Sequence, residues 1–298
     1  MSVLSRMSHK RKDALQAYVL ITPMLALTIM FVIVPFIYAL STCMYKVSYY
    51  AESEYVGFEN FRLVLTDKNF INSFPTVLKY IAYVLPAQFI LSFLIANLIY
   101  RLPRHFAGVT KAAIYIPTII SGVIVSVIFG FIYDYQYGLA NQILRLFRIR
   151  GIVWTNNKAY SMLAVAIPAI WLGLGNMSLF MLAGLNDIPV TYYEAADLDG
   201  ANAFVKMFRI TIPCMKNTMI YLIVTSFVGG MQQMELSRLI TGGGPLRSTM
   251  TPNLMIYNAF LNNTDMGYSI AGSLIMFVLL AGFCGLIFKL VNSEKSSE

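Results

Sequence analysis

Six stretches of this chain contain no Asp, Glu, Lys or Arg: residues 14–45, 80–100, 112–133, 159–186, 217–234 and 266–288, which are 32, 21, 22, 28, 18 and 23 residues long. A hydrocarbon core of about 30 Å is crossed by about 20 apolar residues in a helix rising about 1.5 Å per residue. A helix also satisfies its own backbone hydrogen bonds where lipid offers no partner. The pattern predicts an all-α, polytopic membrane protein. Six transmembrane helices are expected at about 15–40, 80–100, 109–133, 160–183, 217–239 and 268–290. The fifth window is the weakest, and the helix is extended through Glu235. A further gap, 248–264, holds Pro252, Asn253, Asn258, Asn262, Asn263 and several hydroxyl residues, and is rejected as a span. The first window far exceeds the roughly 7–15 apolar residues of a signal peptide, so it is expected to remain as a membrane helix.

Composition agrees. Of the 298 residues, 58% are hydrophobic and 12% charged, against roughly 25% charged in a soluble domain. Too few charges remain to clothe a soluble surface. Cys43, Cys214 and Cys284 lie far apart with no C-x-x-C spacing, which reads as lone thiols. The tail 1–14 carries Arg6, Lys10, Arg11 and Lys12 ahead of the first span, which places it in the cytoplasm. Six spans then return the short tail 292–298 to the same side. By this topology 12 Lys and Arg face the cytoplasm and 10 the outside, and the outer loop 134–158, with Arg145, Arg148, Arg150 and Lys158, counts against it. The net charge of +8 is scattered over both faces and does not form a nucleic-acid surface.

The hydrophilic pieces differ in content. Segment 46–74 centres on Val56-Gly57-Phe58-Glu59-Asn60-Phe61 and is expected to cap the bundle. Thr241-Gly242-Gly243-Gly244-Pro245 cannot continue a helix and marks a sharp exit from the fifth span. No lysine follows it as in a phosphate loop. The segment 185–216 is the richest. Thr191 and Glu194 fit a capping box, Tyr192–Leu198 reads as a short helix carrying small Ala195 and Ala196 on its surface, and Gly200 offers a left-handed end. A second short helix is expected over Ala201–Phe208, with Pro213 just before the fifth span. By periodicity alone this is equally an amphipathic interfacial loop.

Glu194-Ala195-Ala196, Gly200, Ile210 and Pro213 match the pattern EAA-x3-G-x9-I-x-L-P, with Ile212 in place of Leu. In this the chain resembles permease subunits of binding-protein-dependent ABC importers. Trp171, Ala183-Gly184-Leu185, Ile188-Pro189, Tyr193 to Ala201, Val56 to Phe61, the Gly-rich run and Gly267-Tyr268 before the last helix look like the carbohydrate-uptake branch. Pro75 departs from it, standing where Asn is usual. The resemblance implies a type I importer permease in the cell membrane. It works with a second permease subunit, two ATP-binding cassette ATPase subunits and an extracytoplasmic solute-binding protein, and carries a sugar across the lipid bilayer. It also implies that the EAA loop, 186–213, couples to the ATPase through Tyr193, Glu194, Ala195, Ala196, Asp199, Gly200 and Ala201. No catalytic residue, cofactor or metal is expected in this chain, and glycerol phosphate esters are an alternative cargo within the branch.

Substrate contact needs polar groups at membrane depth. Thr225, Gln232 and Glu235 fall on one face of a continuous fifth helix, with Gln233 beside them; Trp171 and Asn176 offer the same in the fourth. Inter-subunit hydrogen bonding, a Glu235–Arg238 pair, or simple packing for Trp171 are the competing roles. An intramembrane enzyme lacks a base, since His9 and His105 lie outside the spans. A stand-alone channel or secondary transporter would need internal repeats, and none is visible.

Overall fold

In the computed structural model, residues 9–47, 53–261 and 266–295 are described. They fall into two units, 1–66 with 259–275, and 67–258 with 276–298.

In the first unit, α1 (His9–Thr28) passes through a wide π turn at Ile29–Ile33 into α2 (Val34–Thr42). The widening precedes Pro35, whose ring lacks an N–H and would clash with the carbonyl four residues back in a regular helix. The 27-residue run Gln16–Thr42 is apolar and mostly exposed, with Thr42 buried at its end. Strands β1 (Tyr45–Lys46) and β2 (Glu54–Tyr55) pair antiparallel, Tyr45 opposite Tyr55. Helix α3 (Glu59–Thr66) follows Gly57, which holds φ +59°. Asn60 is buried, and its Nδ2 donates to the Cys43 and Tyr45 carbonyls at 2.7 and 3.1 Å. Among the described residues, this segment is a strand pair and a short helix pinned by one amide.

The second unit is built on α4 (Lys68–Arg101), which starts 12 residues before the expected span at residue 80. Lys68 and Lys79 hid this part from a search for charge-free runs, and Asp67 caps it by accepting from Asn69 N at 2.8 Å. Its buried residues, including Val77, Tyr80, Ile81, Val84, Gln88, Ser92, Ala96 and Ile99, recur every three or four positions, the stripe of a helix with one packed face. That face lies on α8 (Ser161–Asn186). The third span is broken: α5 (Arg104–Ile119) and α6 (Gly122–Ile132) meet at 93°, with Ser121 capping α6. After it, α7 (Leu139–Leu146) is held by Asn141. This fully buried amide donates to the Ile152 carbonyl at 3.0 Å and accepts from Ile152 N at 2.9 Å and Trp154 Nε1 at 3.1 Å.

Helix α9 (Val190–Leu198) leads through Gly200 to α10 (Ala203–Lys206), a π turn at Met207–Thr211 and α11 (Ile212–Cys214). The second short helix thus begins two residues later than expected and does not stop at Phe208. It bends by 68° at Met215 into α12 (Lys216–Met231). The expected fifth span also changes at its far end. Helix α12 stops at Met231, after Gly229-Gly230, and does not run to 239. The freed carbonyls of Gln232 and Gln233 accept from Asn253 Nδ2 at 3.1 Å and Thr251 Oγ1 at 2.6 Å, as buried backbone requires. The polar segment rejected as a span supplies these donors just before and within α13 (Pro252–Leu261). Helix α14 (Met266–Lys295) already includes Gly267 and Tyr268, which were expected ahead of it. Among the described residues, four helices are long and apolar enough to cross a bilayer, and up to six spans result if each bent pair counts as one.

Asn141→Ala should open the loop 134–158, because several buried backbone groups and an indole lose their partner at about 1–3 kcal/mol for each orphaned group. Limited proteolysis of the purified protein should cut between residues 148 and 158 in the variant and not in the parent; equal resistance would contradict the pinning role.

Candidate functional site

Helices α4, α5, α8 and α12 approach closely around two breaks. Gln88, on the buried stripe of α4, donates to the Ala169 carbonyl of α8 at 2.9 Å. Thr118 of α5 donates to the Leu172 carbonyl of α8 at 3.2 Å. Glycines make room. A Cβ on Gly173 would strike Gln88 Nε2, one on Gly175 would strike the Ile114 carbonyl, and one on Gly230 would lie 2.7 Å from Ile81 Cγ1. Small residues and polar side chains hold membrane helices together in this way, since lipid removes the hydrophobic drive between them.

A cavity of about 540 Å³ opens among these helices, within the roughly 300–1,000 Å³ of ligand pockets. Its wall includes Ile120 and Gly122 at the α5–α6 break, and Gln233, Glu235 and Leu236 beyond the end of α12. Interrupted helices are tolerated at membrane depth where they line such a space. Polar atoms come from Gln88, Thr118, Asn176, Thr225, Ser226, Gln233 and Glu235, and ring faces from Tyr80, Phe180 and Tyr221. The Phe180 and Tyr221 rings lie 5.8 Å apart. Gln233 Nε2 is buried and has no hydrogen-bond partner.

Of the residues singled out from sequence, Thr225, Gln233, Glu235 and Asn176 line this cavity; Gln232 and Trp171 do not. Gln232 was aligned with Glu235 on an unbroken helix, and the end of α12 at Met231 removes that alignment. Trp171 packs against the Phe129 ring at 6.0 Å. Glu235 makes no ion pair with Arg238, whose guanidinium lies over the Tyr257 ring. Gln88, Tyr80 and Tyr221 were missed. Gln88 carried the same signal that marked Asn176, an amide inside a charge-free window.

At the other end of α12 the EAA loop is folded tightly. Pro189 occupies the N-cap of α9, with no side-chain cap. Thr191 therefore lies inside the helix, and the expected Thr191–Glu194 capping box does not form. Ala196 is buried and not on the surface as expected, while Glu194, Ala195, Asp199 and Gly200 are exposed and Ala201 is half-buried. Gly200 holds φ +73°, and Ala201 N donates to the Ala196 carbonyl at 2.9 Å, closing the helix through a left-handed residue. The Lys206 ammonium pairs with Asp197. The Tyr193 and Thr211 hydroxyls are 2.9 Å apart. Tyr193 and Ile210 pack on a buried cluster of Ala96, Ile99, Met177, Met181, Leu182, Leu185, Ile188, Met215 and Leu222. Met177 and Leu222 also line the cavity, so loop and cavity share one apolar cluster.

A family model described as the inner membrane component of binding-protein-dependent transport systems matches residues 69–292. The chain belongs to this family. It is a multi-pass permease subunit of an ABC transporter, a transport component and not an enzyme. It is 31% identical over 278 residues to the trehalose/maltose transport system permease protein MalF of Thermococcus litoralis, covering 92% of each chain. It is 26% identical over 284 residues to the sulfoquinovosyl glycerol transport system permease protein SmoG of Agrobacterium fabrum, covering 95% of this permease and 92% of that protein. Its fold resembles a chain of a bacterial ABC transporter involved in the import of the acidic polysaccharide alginate, with a TM-score of 0.78 at 20% identity, covering 93% and 96% of the two chains.

Gly175→Val should destabilise the permease by about 1–3 kcal/mol, the usual cost of overpacking a tight contact. Gly229→Ala, where an added Cβ meets nothing within 4 Å, should leave it unchanged or slightly more stable. Thermal unfolding of both variants in detergent checks the contrast, and equal behaviour would contradict the close α5–α8 approach.

Proposed function

We propose that this permease forms part of the transmembrane pathway of an ATP-driven importer for sugars or oligosaccharides. The observation that carries the reading is the cavity at the two helix breaks. It combines hydroxyl, amide and carboxylate groups with flat aromatic faces, the two surfaces a sugar presents in complement. Similarity to a trehalose/maltose permease supports the same cargo class. The substrate arrives from an extracytoplasmic solute-binding protein and leaves to the cytoplasm. The basic residues Arg6, Lys10, Arg11 and Lys12 support cytoplasmic termini, which puts the EAA loop on the cytoplasmic side.

There the loop docks on a separate ATPase subunit through α9 and its exposed neighbours Glu194, Ala195 and Asp199. Tyr192, Leu198 and Phe204 add exposed apolar surface beside them. Closure of the ATPase pair pushes α9, and Tyr193 and Ile210 pass the movement to the apolar cluster beneath the cavity. A second permease subunit completes the pathway. The mostly exposed run Gln16–Thr42 offers an apolar helix surface to that subunit or to lipid.

Thr225 is exposed to the cavity, so Thr225→Trp fills space without disturbing a packed contact. The complete transporter carrying it should assemble normally and lose uptake of a labelled neutral disaccharide or oligosaccharide by roughly tenfold or more, equivalent to about 1.4 kcal/mol at the transport step. Normal uptake with normal assembly would rule out this cavity as the pathway.

A further inference from the structure

We propose that the cavity acts as a charge filter, admitting uncharged polyhydroxylated saccharides and refusing anionic substrates such as phosphate esters and uronates. This rests on the reading of the cavity as the transport pathway. Among the described residues, the lining carries one carboxylate, Glu235, and no lysine, arginine or histidine. Arg238, three residues on, does not join it. Its guanidinium donates to the Tyr257 hydroxyl at 2.5 Å and lies 4.4 Å from the ring centre. The ion pairs among the described residues, Arg62–Glu59 and Lys206–Asp197, leave Glu235 out.

An anion is ordinarily bound by cations or by the N–H groups at a helix start. The helix start at this cavity is already taken. Glu235 lies against the first residue of α6, so that a Cβ on Gly122 would sit 2.7 Å from Glu235 Oε2. An arriving phosphate or carboxylate would find that position filled by a like charge, and no cation among the described residues of the wall this chain supplies to replace its hydration.

A neutral saccharide meets the opposite situation. Its hydroxyls can donate to Glu235, which accepts from no described side chain, and can accept from Gln233 Nε2, a buried donor without a partner. Asn176 and Ser226 can serve in either sense, and the Thr118 and Thr225 hydroxyls, which donate to the Leu172 and Tyr221 carbonyls, can accept. Phe180 and Tyr221 give apolar faces for sugar C–H groups. The filter therefore lies in the permease and is separate from whatever selectivity the binding protein adds.

The test uses Ser226→Cys, a near-isosteric change in the cavity wall, in the complete transporter. Two methanethiosulfonate reagents of similar size, one cationic and one anionic, are applied. Modification of the introduced thiol is followed by site-resolved mass spectrometry, and each rate is divided by that reagent's rate with a small thiol in solution. The cationic reagent should react roughly tenfold or more faster than the anionic one, the scale on which a charged cleft enriches counter-ions. Adding Glu235→Gln should bring the two rates together. Equal rates in the presence of Glu235, or a ratio that Glu235→Gln leaves unchanged, would overturn the filter. If neither reagent reaches the introduced thiol, the cavity is not a watered pathway, and the underlying reading fails together with the filter. Uptake of a neutral disaccharide or oligosaccharide by the complete transporter supports the proposal, and uptake of sn-glycerol 3-phosphate through it overturns it.

Discussion

The apolar cluster formed by α4, α8 and α12 is the contact on which the other features depend. Tyr193 and Ile210 of the EAA loop pack against it, and its members Met177 and Leu222 also line the cavity. Close-packed interiors transmit displacement because they have little free volume to absorb it. On the proposed function, a push delivered to α9 reaches the cavity wall through this cluster. The loop is tied together at three points: α9 is closed by Gly200 in a left-handed conformation, braced by the Lys206–Asp197 pair, and joined to the following π turn by the Tyr193–Thr211 hydroxyl contact.

The second constraint is the cost of unpaired backbone in a membrane. Two helices break beside the cavity, and each break has its own remedy. Ser121 caps α6 by accepting from Ile124 N at 3.4 Å. Thr251 and Asn253 donate to the carbonyls freed where α12 ends. With those groups satisfied, the breaks can turn backbone and polar side chains toward a shared space. Gly122 and Gly173 keep the space open, because side chains at those positions would displace Glu235 and Gln88.

Much of this was legible in the sequence, and the rest failed for identifiable reasons. The bilayer forbids stray charge, so the charge-free windows fall on the four long apolar helices and on the two bent pairs. The same rule misjudged α4, because Lys68 and Lys79 lie in a helix longer than the hydrocarbon core. Helix breaks carry no charge and left no gap in the pattern. Gln232 was placed on the cavity face by assuming a continuous helix, and the break after Met231 gave that place to Gln233. In the loop, the spacing of Glu194, Ala195, Ala196 and Gly200 was informative and the local capping rule was not, since Pro189 already held the cap position. The cavity brings four helices together, and no single segment of sequence displays it.

The central claim is that loop and cavity are coupled through the shared cluster. The most direct measurement is the number of substrate molecules imported per ATP hydrolysed by the complete transporter in proteoliposomes, compared between the parent and Met181→Ala, a fully buried member of the cluster that does not line the cavity. Truncation leaves a void between loop and cavity without touching the exposed face of α9. Coupling through the cluster predicts that the variant still assembles and hydrolyses ATP in response to loaded binding protein, while import per ATP falls roughly fivefold or more, the scale of a typical coupling free energy. Import and hydrolysis falling in equal proportion, or an unchanged ratio in a stable, assembled variant, would contradict it.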